Sequence, residues 1–148
     1  MRLHRLDRDW QSSLARPPQV PRSVAYALFP LIALWTLPQT LAGLAIAMYR
    51  RAEGHPLYLY QFGPFLFLVA RTPGPASAGI SLGVVVFSEA PSILKHEFCH
   101  LFSGLWLSWF YLPVYGLEYL ILGHSRSFHE RITCFIEEKL PWGWRFLG

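Results

Sequence analysis

Aspartate is almost absent from this 148-residue chain: Asp7 and Asp9 are its two examples, so every acidic side chain beyond the ninth residue is a glutamate. Any site downstream of that tail must therefore do without aspartate. Cysteine is equally scarce, with Cys99 and Cys134 alone, and two thiols do not make the disulfide framework of a small secreted domain. Charge is thin as well, since 15% of the residues are Asp, Glu, Lys or Arg where soluble domains carry about 25%. No basic patch interleaves with the aromatics later in the chain, which argues against a nucleic-acid partner.

Apolar residues fill the space that charge leaves. The chain is 53% hydrophobic and 16% aromatic, with a positive mean hydropathy, and this places it with membrane-associated proteins of about one domain. The net charge of +4 comes largely from Arg2, Arg5, Arg8, Arg16 and Arg22, opposed there only by Asp7 and Asp9. Residues 1–23 thus read as a basic tail suited to anionic membrane lipid or to plain solvation.

Residues Val24 to Met48 are nearly all apolar, with Thr36, Gln39 and Thr40 as polar interruptions, between Arg22 and Arg50-Arg51. Twenty-five helical residues span roughly 37 Å, enough to cross a bilayer core. Residues 24–49 are accordingly expected to form a transmembrane helix kinked at Pro30 and Pro38, with a broken or re-entrant segment as the competitor. If this run crosses once, the arginines ahead of it favour a cytoplasmic N-terminus.

Strand signals follow. Leu57 to Tyr60, Phe65 to Val69 and Ile80 to Phe87 are separated by Gly- and Pro-containing turns and predict a small sheet. Ser88-Glu89-Ala90-Pro91 then reads as a helix start, for a helix from about Pro91 to about Ser108. That helix carries His96-Glu97-Phe98-Cys99-His100, the pattern H-E-x-x-H. Positions i and i+4 share a helix face, so both imidazoles can hold one Zn²⁺ while Glu97 acts as general base on an activated water. Cys99 is expected to be a small buried thiol facing away from the metal.

A catalytic zinc takes three protein ligands and keeps one open position, so a third ligand must lie downstream. The metzincin pattern fails because Ser103 and Trp106 stand where Gly and His are needed, and aspartate-liganded families fail for want of an aspartate. Glu130 is the leading candidate, sharing a helical face with Cys134 and Glu137. Its lesser alternative is to complete only an S-x-x-E capping box with Ser127; His124, His129 and Cys134 are the other possible ligands. That second helix should end near Lys139-Leu140, before Pro141. His124, His129, Arg126 and Arg131 are candidates for oxyanion stabilisation. Trp106, Trp109, Phe110, Tyr111, Trp142 and Trp144 suit a membrane-interface belt, though core packing accounts for the first four nearly as well.

The segment Leu101 to Leu122 would score as a second span by hydropathy, with Glu118 its single charge. A straight helix there would carry the chain roughly 33 Å and set His100 and Glu130 on opposite sides of a bilayer. A shared metal site therefore requires a bend, expected at Tyr111-Leu112-Pro113 to Gly116, followed by a returning apolar segment.

His96-Glu97-x-x-His100, Leu112-Pro113, Phe128-x-Glu130-Arg131 and Trp35-Thr36-Leu37-Pro38 together resemble a group of small bacterial membrane-associated proteins with H-E-x-x-H helices. The similarity covers most of the chain after residue 24; relatives often carry Gly and Gln where Cys99 and Ser103 stand here. The resemblance implies an α+β, gluzincin-like metallopeptidase fold with a membrane anchor in a bacterial inner membrane. It implies His96, His100 and Glu130 as zinc ligands and Glu97 as the base, in a metal domain spanning residues 50–148 with a re-entrant stretch at 101–122. The expected partners are membrane lipid and a peptide or protein substrate. The alternative is a non-catalytic membrane protein whose motif is a structural metal site or an accident.

Overall fold

The computed structural model describes residues 20–71, 79–88, 93–123, 126–140 and 144–148. They form an α+β fold in which a five-stranded mixed sheet is packed between helices on both faces.

The long N-terminal apolar run is two helices, α1 (Arg22–Trp35) and α2 (Leu37–Ala52), bent by 102°. The break is at Thr36, not at the two prolines. Pro30 lies inside α1, whereas Pro38 occupies the first turn of α2, where its missing N–H costs nothing and its ring prevents α1 from continuing. Thr36 ends α1 by turning its hydroxyl onto the Ile32 carbonyl at 2.8 Å. At 14 and 16 residues, each helix falls short of the ~20 needed to cross a bilayer alone.

Strands β1 (Leu57–Phe62), β2 (Phe65–Arg71), β3 (Gly79–Leu82), β4 (Val85–Ser88) and β5 (Trp144–Phe146) lie in the order β3-β4-β2-β1-β5, with β2 and β4 parallel and the other pairs antiparallel. The single strand expected over Ile80 to Phe87 is a hairpin. Gly83, at φ 61°, supplies the left-handed conformation of a two-residue turn that pairs Leu82 with Val85. The turn docks at the α1–α2 break, where a Cβ on Gly83 would lie 3.0 Å from the Thr40 nitrogen. Along β2 the side chains alternate as strand geometry requires. Phe67 and Val69 join Phe98 and Leu101 on one face, while Leu68 and Ala70 join Phe29, Ile32 and Ala47 on the other.

Helix α3 (Leu94–Leu107) carries the motif, starting three residues later than expected. Ser88 does not cap it but ends β4, paired with Arg71 and Gly79; residues 89–92 of the expected cap lie outside the described ones. Phe98 anchors α3 to the sheet, stacked on Phe67 at 4.5 Å between ring centroids. Trp144 is not an interfacial residue: it is buried and packs edge-on against Tyr60 at 5.5 Å, because β5 pairs with β1. Trp142 lies outside the described residues.

By length and hydropathy the run Leu94–Leu122 passes for a membrane span, yet it is broken. Ser108 adopts φ 47°, a region non-glycine residues seldom enter. A 3-10 turn over Ser108–Phe110 then leads into α4 (Tyr111–Leu122). The bend therefore precedes the Tyr111 to Gly116 stretch where proline and glycine predict it, because contacts with the other break hold it in place. The Ser108 hydroxyl donates to the Trp35 carbonyl at 2.6 Å, the Trp35 indole donates to the Leu105 carbonyl at 2.8 Å, and the Gln39 amide donates to the Ser108 carbonyl. Helix α5 (Phe128–Lys139) packs along α3, and Lys95 closes its C-terminus by donating to the Glu137 and Leu140 carbonyls at 2.6 and 3.0 Å.

Candidate metal centre

Two helices, α3 and α5, converge on one point. His96 and His100 project from one face of α3, one turn apart, as the 3.6-residue period dictates, with ring centroids 5.0 Å apart. Opposite them, α5 presents Glu130 from its first turn. Its two carboxylate oxygens divide between the rings: Oε2 lies 3.3 Å from His96 Nε2 and Oε1 lies 3.4 Å from His100 Nε2. Ligand atoms at ~2.0–2.1 Å around a tetrahedral ion would stand about 3.3 Å from one another, close to these two separations, which are made by different oxygens of Glu130. Metal-ligating atoms of His96, Glu97 and His100 also lie mutually within 4.8 Å, a group that could hold a metal ion.

Glu130 both closes the cap and faces the two histidines. Its backbone N–H donates to the Ser127 hydroxyl at 3.3 Å, capping α5, while its carboxylate faces the histidines. The remaining ring nitrogens are held from behind by the same helix. Glu137 Oε2 is 2.9 Å from His96 Nδ1 and Thr133 Oγ1 is 3.2 Å from His100 Nδ1. Residues 130, 133 and 137 recur at i, i+3 and i+7, so one face of α5 provides both the carboxylate and the groups that fix the orientation of the two imidazoles.

Glu97 is buried between α3 and β3, its carboxylate taking a 2.8 Å hydrogen bond from the Ser81 hydroxyl. Gly79 leaves room for it: a Cβ there would come within 2.6 Å of Glu97 Cδ. Burial, opposed by the Ser81 hydrogen bond and by His96, pushes the Glu97 carboxyl up to about 7. The Glu130 hydrogen bond, opposed by burial and reinforced by Glu137, lifts the His96 imidazole to about 9.

Tyr115 closes the centre from above. Its hydroxyl donates to Glu130 Oε1 at 3.1 Å, and its ring centroid lies 6.4 Å from that of His100. Fifteen residues of straight helix would separate the two by about 22 Å, so the break at Ser108 is what brings α4 back over the site. Together β3, α3, α4 and α5 enclose a cleft of about 590 Å³.

Other candidates are placed elsewhere. His129 is buried, but its Nδ1 pairs with Glu118 and its ring meets Tyr111 and Tyr115 edge-on, so it ties α5 to α4 and does not face the imidazoles. Cys134, Arg126 and Arg131 are exposed, away from the cleft lining. Cys99 lies in the core, where burial pushes its thiol up to about 12. His124 lies outside the described residues. Thr133 was readable in principle from its helical spacing to Glu130. Ser81, Gly79 and Tyr115 carry no local signal, because tertiary packing alone brings them to the site.

If Glu137 and Thr133 orient the imidazoles, Glu137→Gln and Thr133→Ala should each lower metal affinity by about 10- to 100-fold. Competition against a chromogenic chelator measures this, and unchanged affinity in both variants would reject the role.

Compared with known proteins, the chain matches no family model, no curated protein and no solved structure.

Proposed function

We propose that this protein is a membrane-associated zinc hydrolase of metallopeptidase type, cleaving peptide bonds with water. The observation that carries this reading is the Glu130 carboxylate lying between the Nε2 atoms of His96 and His100 at 3.3 and 3.4 Å, with Glu97 lining the same cleft. Two histidines, one carboxylate and an open side toward a cleft fit Zn²⁺ in a catalytic arrangement. When bound there, Zn²⁺ would act as a Lewis acid and lower the pKa of water toward neutrality.

The chain's own groups supply the remaining chemistry. Glu97 accepts a proton at its carboxylate, and its raised affinity for protons suits a general base working near neutral pH. Ser81 holds that carboxylate by one oxygen, leaving the other for the proton. The Tyr115 hydroxyl, on the cleft wall and donating to Glu130, would have to turn from that carboxylate to serve the negative charge that develops on a carbonyl oxygen under attack.

Membrane association is supported by what the two hydrogen-bonded breaks present to the outside. Leu31, Leu34 and Trp35 from one, and Trp106, Trp109 and Phe110 from the other, are all exposed, Trp106 at 89% and Phe110 at 72%. Arg22 begins α1 and Arg50 and Arg51 end α2, so the apex between them is apolar and the far ends are basic. That distribution suits insertion into one leaflet with arginines at the headgroups.

Purified protein is expected to carry about one zinc per chain, and a His100→Ala variant far less. A chelator should abolish hydrolysis of a quenched-fluorescence peptide library, and zinc should restore it. Protein that holds zinc but cleaves no peptide would leave a structural metal site as the better reading.

A further inference from the structure

Helix α4 has two faces of different chemistry. Its inner face walls the metal cleft with Leu112, Tyr115 and Tyr119. Its one charged residue, Glu118, is turned onto α5, where it pairs with His129 and accepts from the Phe128 N–H. The outer face carries Val114, Leu117 and Ile121 at i, i+3 and i+7, a single helical stripe, exposed by 40%, 61% and 70%. Tyr111 is the only α4 residue that is buried. An exposed apolar stripe of this length, free of charge, marks a surface that a partner covers.

The stripe continues the apolar apex at one end and reaches cations at the other. Exposed Phe110 stands directly before α4 and four residues ahead of Val114. Beyond the far end come Arg126 and, on α5, Arg131, both exposed. Helices α1 and α2 repeat the order, meeting at the apex and carrying Arg22, Arg50 and Arg51 at their other ends. Apolar surface followed by arginine matches the sequence of acyl chains and headgroups in an anionic leaflet, because an arginine stem lies along apolar surface while its guanidinium reaches phosphate. A protein partner would account for the stripe but not for arginines at the far ends of all three helices. Twelve helical residues rise about 18 Å, against ~15 Å for the hydrocarbon of one leaflet, so α4 has the length to run from the apex to the headgroups.

We infer that α4 stands in one leaflet of an anionic membrane, with its outer face against the acyl chains and Arg126 and Arg131 at the headgroups, so that a single helix separates the metal cleft from lipid. The inference rests on the membrane-association reading above and extends it from the two breaks to the wall of the metal site. It is tested on full-length protein with Cys134→Ser, in which the remaining Cys99 is buried. A nitrobenzoxadiazole label is placed at Leu117→Cys, Ile121→Cys, Leu31→Cys or Glu138→Cys, all exposed positions where it displaces no core packing. The protein is reconstituted into vesicles of phosphatidylcholine and phosphatidylglycerol; spin-labelled lipids then report contact with acyl chains, and iodide reports contact with water.

Labels at Leu117→Cys, Ile121→Cys and Leu31→Cys should shift their emission to the blue, be quenched by spin-labelled lipid and lose quenching by iodide, while Glu138→Cys keeps it. Leu117→Cys should respond more than Ile121→Cys to a spin label deep in the acyl chain, since Ile121 lies about 6 Å nearer the arginine end. Iodide quenching at both α4 positions with lipid quenching at Leu31→Cys would overturn the inference and leave insertion of the apex standing. Iodide quenching at Leu31→Cys as well would overturn both. Labels on α4 shielded from both quenchers would mean that protein, a second copy of this chain included, covers the stripe, and would overturn the inference. Equal depth for Leu117→Cys and Ile121→Cys, lipid quenching at Glu138→Cys, or unchanged insertion in phosphatidylcholine alone would each overturn it too.

Discussion

Glu97→Gln is expected to keep about one zinc per chain while losing peptide hydrolysis by about 10²- to 10⁴-fold, the usual contribution of a positioned general base. Glu130→Ala is expected to lose both. The difference follows from where the two carboxylates sit. Glu130 bridges the Nε2 atoms of both histidines, so removing it deletes one of the three proposed ligands and should cost more than the ~10- to 100-fold typical of groups that only orient a ligand. Glu97 takes a hydrogen bond from Ser81 and is packed against Gly79, and although its carboxylate lies within 4.8 Å of ligating atoms of both histidines it does not bridge them as Glu130 does. The amide of Glu97→Gln has nearly the same shape but cannot accept the proton. Metal analysis of the purified variants beside a peptide-cleavage assay separates the two roles. Full zinc occupancy in Glu130→Ala would remove Glu130 from the ligand set, and undiminished cleavage by Glu97→Gln would remove Glu97 as the base.

Zinc should raise the melting temperature by an amount that grows with pH. In the metal-free protein, His96 is lifted to about 9 from an ordinary value of 6.5. A raised value means that the folded state binds this proton more tightly, so its stabilisation is complete below pH 6.5 and is lost as pH rises through 9. Glu97, raised to about 7 from 4.5, acts in the same direction: its contribution is complete below pH 4.5 and is lost as pH rises through 7. Metal-free protein should therefore melt at lower temperature at pH 8 than at pH 5.5. Zinc competes with the His96 proton, so its affinity should fall roughly tenfold for each pH unit below 9. At pH 8, with free zinc at about 1,000 times its Kd, the stabilisation is about 4 kcal/mol, or about 10 °C for a domain of this size. At pH 5.5 the same zinc concentration should add little. Scanning fluorimetry in detergent, with and without zinc across this range, provides the check. Metal-free protein whose stability stays flat or rises from pH 5.5 to 8 would contradict the proton-for-metal exchange.

Much of the centre was legible from side-chain periodicity. His96 and His100 stand one helical turn apart, and Glu130 begins the next strongly signalled helix, so the chain's few carboxylates made it the leading third ligand. The elimination left few candidates because aspartate is missing beyond residue 9, and the structure sets Glu130 against both histidines. The same period contained Thr133 and Glu137, whose spacing from Glu130 puts them behind the two imidazoles. Strand alternation was legible for β1 and β2 but not for the hairpin. Val84 to Phe87 continues the apolar run so smoothly that Gly83 alone marks the turn, and one glycine in a strand-like run can equally mean a bulge.

Hydropathy misled where two apolar segments pack on each other. It reads composition, and a break at Thr36 or Ser108 leaves composition unchanged. The local signals pointed to the prolines, yet Pro30 stays inside a helix and the second bend sits at a serine with φ 47°. That conformation is held by partners some seventy residues away, Trp35 and Gln39.

By itself the sequence determined the candidate metal-binding residue types, the face of α3 that carries them, the α+β class and the apolar character of the surface. Each of these depends on residue identity and short-range spacing, which the helix and strand periods convert into direction. Only the tertiary structure decided that α4 folds back to set Tyr115 on Glu130, that β3 is the sheet edge beside Glu97, and that Ser81 and Gly79 shape the base. Those placements depend on contacts between segments far apart in the chain, where the free energy of packing, and no local preference, selects the arrangement.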